Sequence, residues 1–158
     1  MKTKTIAILA ALCGFASTPA LLAQAEKPHD HKHEKKEDGP NGGRLITSLD
    51  PHFEFFVTPE HKVKITFVGE DKKAIAPGEQ IITAVGGDRA NPTKLAFTKE
   101  GDSFISDKAL PDAKEQPIVL QVKTSKDAKT VTEKFNVNLA ECPECKHKEY
   151  ACVCEHEH

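Results

Sequence analysis

The chain has 158 residues and a formal net charge of −2, and hydrophobic, charged and aromatic residues make up 38%, 29% and 6% of it, with no tryptophan. This length allows one domain with a core of aliphatic residues and a few phenylalanines, which excludes a large multidomain enzyme. Because no run of basic residues alternates with aromatic residues, nucleic acid is not expected as a partner.

The first segment has the pattern of a signal peptide. Two lysines precede an apolar stretch that ends near Phe15, and Ala23-Gln24-Ala25 then has the small-x-small form that a signal peptidase cleaves. A membrane helix needs about 20 apolar residues, and here glycine, serine, threonine and proline interrupt the stretch. We expect residues 1–25 to be removed and the mature chain to begin at Glu26. The protein is then periplasmic or secreted, and it does not span a membrane.

Residues 26–43 are polar and rich in histidine. They contain no apolar residue that could reach a core, so burial cannot offset the ordering entropy of about 1–2 kcal/mol per residue. The sequence predicts a disordered arm here. His29, His31 and His33 alternate along it, so that an extended chain turns the three imidazoles to one side. Imidazole binds zinc, copper or nickel, which favours weak metal capture over a merely solvated arm.

From Arg44 onwards, short runs of alternating apolar and polar residues predict half-buried strands. These runs cover residues 53–57, 63–67, 80–85, 94–99, 103–106, 118–122 and 135–139. Thr58-Pro59-Glu60-His61 and Glu100-Gly101-Asp102 are turn sequences that predict two hairpins. No window offers a helical face of about twelve residues. Seven or eight short strands therefore predict an all-β domain at residues 44–140, folded as an antiparallel β-sandwich.

Residues 141–158 form a tail of cysteine and histidine with the pattern C-x2-C-x-H-x4-C-x-C-x-H-x-H. The candidate metal ligands in it are Cys142, Cys145, His147, Cys152, Cys154, His156 and His158. Thiolate and imidazole are the preferred ligands of Zn(II) and Cu(I), so the expected cofactor is a transition metal ion, zinc or copper. From Ala140 onwards the chain has only Tyr150, Val153 and two alanines to bury. The tail must therefore be held by a metal or by disulfides, or remain free.

The spacing of the second cysteine pair argues against a closed four-cysteine zinc site. Cys152 and Cys154 are closer together than the pairs of usual zinc knuckles. Three thiolates with His147 or His156, or a looser copper–thiolate site, fit equally well. Two disulfides are the alternative that an oxidising compartment favours. Cys142-Pro143-Glu144-Cys145 also has the form of a dithiol redox site, but the strand–helix context of such a site is missing.

No nucleophile motif, phosphate-binding glycine loop or H-E-x-x-H is present, so the protein is not expected to be an enzyme. His52 and His61 are expected to be exposed strand or turn residues, as histidine often is. A hairpin would hold them about 20 Å apart, too far to share one ion.

Three sequences carry a resemblance to a known family: Gly39-Pro40-Asn41-Gly42-Gly43-Arg44-Leu45-Ile46, His52-Phe53-Glu54-Phe55 and Lys62-Val63-Lys64-Ile65-Thr66-Phe67. This quarter of the chain resembles the small β domain near the N-terminus of periplasmic adaptor proteins of heavy-metal efflux systems, and its stand-alone exported relatives. There a His-rich stretch precedes a G-P-H-G-G turn, and here Asn41 stands in place of the histidine. The resemblance implies periplasmic metal handling by a binding module, with an efflux-system component as a partner.

Two functions are therefore consistent with the sequence. The first is an exported transition-metal-binding protein that captures or buffers zinc or copper ions through its tail, with the His-rich arm as a low-affinity collector. The alternative is an interaction module whose tail is stapled by disulfides and whose sandwich binds a protein or envelope partner.

Overall fold

The computed structural model describes residues 37–154, and these form an all-β domain. The elements are β1 (Arg44–Ile46), β2 (His52–Val57), β3 (Lys62–Val68), β4 (Ile81–Gly86), β5 (Thr93–Glu100), β6 (Ser103–Ala109), β7 (Glu115–Lys123), β8 (Val131–Asn138) and the short 3-10 helix η1 (Glu149–Ala151). The prediction of seven or eight short antiparallel strands is confirmed. The predicted signal peptide, most of the arm and the last four residues lie outside the described residues.

The eight strands form a single sheet in the order β1-β2-β3-β6-β5-β4-β7-β8, with every pairing antiparallel. Strand β5 changes partner along its length. Leu95 pairs with Ala84 of β4, whereas Phe97 pairs with Ser106 of β6. The sheet curls at this strand, and its two halves contribute to one hydrophobic core. The predicted sandwich is thus made by one sheet folded over itself.

Alternation of apolar residues explains the individual strands. Phe53, Phe55 and Val57 of β2 are buried, and they pair with alternate buried residues of β3. Both predicted hairpins are present. The amide of His61 donates to the carbonyl oxygen of Thr58 over 2.9 Å in the first hairpin. In the second hairpin, β5 and β6 pair directly across the predicted loop.

Strands β1 and β8 are the two edge strands of the sheet, and a side-chain contact connects them. The guanidinium carbon of Arg44, on β1, lies 4.6 Å from the centroid of the Phe135 ring on β8. The Phe135 ring also meets Phe55 of β2 edge-on, with centroids 5.0 Å apart. We call this region, where β1 and β8 approach each other around Phe55 and Phe135, the seam. The seam is the place where the curled sheet is not closed by strand pairing.

A buried carboxylate organises the chain just before β1. Glu54, on β2, is fully buried although its side chain ends in a carboxyl group. Its Oε1 accepts hydrogen bonds from the backbone amides of Asn41, at 2.8 Å, and Gly43, at 2.7 Å. Its Oε2 accepts one from the Asn41 side-chain amide at 2.5 Å. Three donors around one carboxylate offset the cost of removing its charge from water.

The turn around Glu54 requires glycine at two positions. A Cβ atom at Gly39 would lie 2.5 Å from Glu54 Cδ, and a Cβ atom at Gly43 would lie 2.4 Å from the carbonyl oxygen of Phe55. Both distances are far below normal contact, so no other residue fits without movement. Residues 37–43 therefore belong to the folded domain. The composition of residues 26–43 predicts a disordered arm that extends to Gly43. Composition does not show that the carboxylate of Glu54 accepts hydrogen bonds from the amides of Asn41 and Gly43.

We predict that Glu54→Gln destabilises the domain by about 1.5–3 kcal/mol, because the amide is uncharged and its NH2 group would face backbone donors. Urea unfolding followed by circular dichroism measures this difference. Glu79→Gln is the matched control, since Glu79 is exposed, and we expect it to change stability by less than about 0.5 kcal/mol. Equal stability of the two variants would show that the turn does not depend on the Glu54 charge.

Candidate metal centre

The first cysteine pair lies on a tight loop that follows β8. The amide of Cys142 donates to the carbonyl oxygen of His147 at 2.8 Å, and the amide of Lys146 donates to the carbonyl oxygen of Cys142 at 3.2 Å. Lys146 has a φ of 61°, in the left-handed region that few residues adopt. This conformation reverses the chain directly after Cys145. The loop thereby holds the side chains of Cys142 and Cys145 next to each other.

The second pair follows η1 in an extended segment. Cys152 has a φ of −63° and a ψ of 129°, which is extended backbone. In extended chain, residues two apart point to the same side. Cys152 and Cys154 therefore both face the first pair, and the amide of Cys154 donates to the Sγ of Cys152 at 3.3 Å. The short C-x-C spacing, which argued against a closed four-cysteine site, is the spacing that an extended segment needs.

The four sulfur atoms form one compact cluster, which we call the thiol cluster: Cys142, Cys145, Cys152 and Cys154. Their Sγ atoms all lie within 4.8 Å of one another. Cys152 Sγ is 3.4 Å from Cys142 Sγ and 3.6 Å from Cys145 Sγ. A tetrahedral zinc ion with bonds of about 2.3 Å separates its sulfur ligands by about 3.8 Å, whereas a disulfide requires about 2.05 Å. No disulfide joins any two of these four cysteines, and their arrangement can hold a metal ion.

Backbone amides stabilise negative charge on the first pair. The amides of Cys145 and Glu144 lower the pKa of the Cys142 thiol. The amide of His147 lowers the pKa of the Cys145 thiol to about 7. These N–H groups donate to sulfur and favour the thiolate, which is the form that binds metal.

The second pair retains its protons more strongly. Burial is the main cause that raises the pKa of Cys152 to about 11. A hydrogen bond with Cys145 is the main cause that raises the pKa of Cys154. The cluster therefore combines two cysteines that favour the thiolate with two that favour the thiol.

Of the predicted histidine ligands, the structure describes His147 alone, and this residue does not belong to the thiol cluster. Its Nε2 lies 3.5 Å from Oδ2 of Asp38. Its ring covers Gly42, where an added Cβ would lie 3.4 Å from Nδ1. His147 thus connects the tail to the turn before β1. The other candidates, His29, His31, His33, His156 and His158, lie outside the described residues.

Tyr150 is an important residue of the tail that the sequence did not single out. It lies in η1, between the two cysteine pairs, and it is buried in the core. Its hydroxyl oxygen accepts a hydrogen bond from the Val57 amide at 2.9 Å, and its ring meets Phe55 edge-on at 5.7 Å. Burial raises the pKa of this hydroxyl to about 12. A single aromatic residue amid charged neighbours was the only signal available in the sequence.

Comparison with known proteins returns no match, because no protein-family model fits the chain and no curated protein or solved structure is similar to it. The resemblance to efflux adaptor domains therefore stays a prediction. Between residues 37 and 154, no helix combines the length and apolar character needed to cross a membrane. The fold and the thiol cluster define an antiparallel β domain with a four-cysteine site that can hold a metal ion.

We predict that Cys145 is alkylated first, and Cys152 last, when the reduced, metal-free protein reacts briefly with iodoacetamide. Cys145 is partly exposed and has a lowered pKa, whereas Cys152 is buried and has a raised pKa. Peptide mass spectrometry measures the order. As pH falls from about 8.5 to about 7, the Cys145 rate should fall about twofold, against about 15-fold for an ordinary thiol of pKa about 8.5.

The control for this order is the same reaction in concentrated urea, where the four cysteines should react at similar rates because burial and backbone hydrogen bonds are lost. If the folded protein shows no difference in rate among the four, the described environment of the cluster is not the one in solution.

Proposed function

We propose that this protein is an exported transition-metal-binding protein that captures or buffers zinc or copper ions at the thiol cluster. The observation that carries the proposal is the mutual distance of the four sulfur atoms, all within 4.8 Å. Soft thiolate ligands select zinc and Cu(I) over calcium or magnesium. A four-thiolate set also leaves no ligand position for a substrate, which favours storage or transfer of the ion over catalysis.

The partial exposure of the cluster supports exchange of the ion with solvent. Cys142 and Cys152 are buried, whereas Cys145 and Cys154 are partly exposed. One side of the site is therefore shielded by the domain, and the other is open to water. An ion can enter or leave from the open side while the buried pair keeps the loop in position. This arrangement suits a buffer or a carrier better than a permanently enclosed structural ion.

The His-rich segments would act as collectors of low affinity. The contact between His147 and Asp38 brings the chain that leads to the arm beside the tail. Asp38 follows His33 by five positions in the sequence. His156 and His158 follow Cys154 by two and four positions in the sequence. Imidazoles bind these ions less tightly than thiolates, so both groups of histidines would load after the thiol cluster.

Export and a link to heavy-metal efflux are parts of the same proposal. The N-terminal pattern supports removal of residues 1–25 and release into the periplasm or medium. The resemblance of the Gly39-Pro40-Asn41-Gly42-Gly43 region to efflux adaptor domains supports a partner in an efflux system.

We predict that the protein purified from its native compartment begins at Glu26, which intact-mass measurement tests directly. A mass that includes residues 1–25 would contradict cleavage at this site. The same protein expressed without those residues should remain inside the cell, and this version is the control for export.

We predict that Cys142→Ser with Cys145→Ser removes the tightest site, so that bound zinc falls from about one ion per chain to below about 0.1 after dialysis. Replacing His29, His31 and His33 by alanine should leave this tight ion in place and reduce only the loading at high zinc concentration. Mass spectrometry of metal content measures both. The arm variant is the matched control, because it removes metal-binding side chains outside the cluster.

Loss of all binding in the arm variant, with normal binding in the cysteine variant, would place the primary site at the other end of the chain.

Free-thiol titration of the native protein distinguishes the metal-binding protein from the disulfide-stapled interaction module. Two disulfides without bound metal would support the interaction module instead of the metal-binding protein.

A further inference from the structure

We infer that Tyr150 is a positioning residue that couples ion binding at the thiol cluster to closure of the seam between β1 and β8. The inference rests on the proposed metal-binding function and adds a regulatory consequence to it. In the ion-bound protein the tail stays over the seam, and in the metal-free protein it leaves the seam for part of the time. Tyr150 carries this coupling because it belongs to both parts of the molecule.

The first part of the argument is the position of Tyr150 along the chain. It lies between the loop of Cys142 and Cys145 and the extended segment of Cys152 and Cys154. An ion that binds all four sulfurs must hold both segments at fixed positions. The residue between them is then also fixed. Conversely, a docked Tyr150 holds the two pairs at the separation that the ion requires, which lowers the entropy lost on binding.

The second part is what Tyr150 touches. Its ring lies against Phe55, and Phe55 in turn lies against Phe135 of the edge strand β8. Its hydroxyl accepts a hydrogen bond from the amide of Val57. Among the described strands, η1 approaches β8 and β1, the two edges of the sheet. The tail therefore bridges the edges at the place where no strand pairing joins them.

The third part is the weakness of the tail without an ion. Of the residues from Glu141 to Cys154, the core includes Tyr150 and Ala151, together with the buried sulfurs of the cluster. So little apolar surface by itself holds a segment of this length only weakly. Metal binding supplies the missing free energy, because the free energy of ion binding adds to the stability of a site that forms only when the segment folds. Coupling of this kind is reciprocal, so docking of Tyr150 must also strengthen ion binding.

The chain provides its own reporter for the test. Tyr150 is the only tyrosine, and the sequence has no tryptophan, so tyrosine fluorescence reports on this residue alone. Zinc is titrated into the reduced, metal-free, full mature chain, and acrylamide quenching of the emission is measured at each step. Bound zinc is determined in the same samples. We expect the quenching constant to fall at least threefold, in proportion to bound zinc.

Hydrogen exchange tests the consequence at the seam. Amide exchange of β1 and β8 should slow on zinc addition, whereas exchange in β4, which does not contact η1 in the described chain, should not change. This comparison separates closure of the seam from a general gain in stability.

Two variants test the reciprocal effect. Zinc affinity is measured by competition with a chromophoric chelator. Tyr150→Ala should bind zinc at least tenfold more weakly, although residue 150 supplies no ligand. Tyr150→Phe keeps the ring and should restore most of the affinity, to within about threefold of the original. Ile82→Val, a core change on β4, is the control and should leave zinc affinity within about twofold.

The outcomes distinguish the inference from the function on which it rests. Tight zinc binding with unchanged tyrosine quenching, or with equal affinity in Tyr150→Ala, overturns the coupling and leaves the metal-binding function standing. Absence of zinc and copper binding in the original chain overturns both. If Tyr150→Ala fails to fold, the quenching and exchange measurements on the original chain decide the question.

Discussion

The aromatic contact at Phe55 is the interaction on which the closure of this domain and the position of its tail both depend. The Phe55 ring meets Phe135 at 5.0 Å and Tyr150 at 5.7 Å, both edge-on. The strand order of the described sheet ends at β1 and β8, and no strand pairing holds these two edge strands together. Aromatic rings bury a large area and favour edge-to-face contacts, so one ring can connect three separate segments. The neighbouring residue of β2, Glu54, holds the turn before β1 on the opposite face.

Strand β2 is therefore buried on both sides, for two different reasons. Phe53 and Phe55 fill the core, and Glu54 is enclosed by the turn of glycines and asparagine. This explains in physical terms why a turn rich in glycine and a strand with the order Phe-Glu-Phe occur together. The backbone must approach the carboxylate so closely that side chains are excluded. Asn41 contributes two of the donors, which gives this residue a structural role in the turn.

The thiol cluster shows how a short segment can build a site with little core of its own. A loop with one left-handed residue presents the first pair, and an extended segment presents the second. Backbone amides directed at sulfur reduce the cost of collecting thiolates in one place. Tyr150 links this site to the domain, so that the tail is attached to the fold at its centre while its charged residues remain in solvent. A four-cysteine site that can hold a metal ion and a residue of the core, Tyr150, thus lie within fourteen residues, from Glu141 to Cys154.

The sequence by itself determined the strands and the residue types of the candidate metal site, because both follow from local patterns. Alternation of period two identified the hairpin of β2 and β3, and the types of residue in the tail identified soft metal ligands. The tertiary structure decided which strands become neighbours, where β5 changes partner and that residues 37–43 are folded. It also decided that all four cysteines meet while His147 turns to Asp38. These features depend on contacts between residues distant in the chain, such as Glu54 with Asn41 and Tyr150 with Val57, and local patterns carry no record of such contacts.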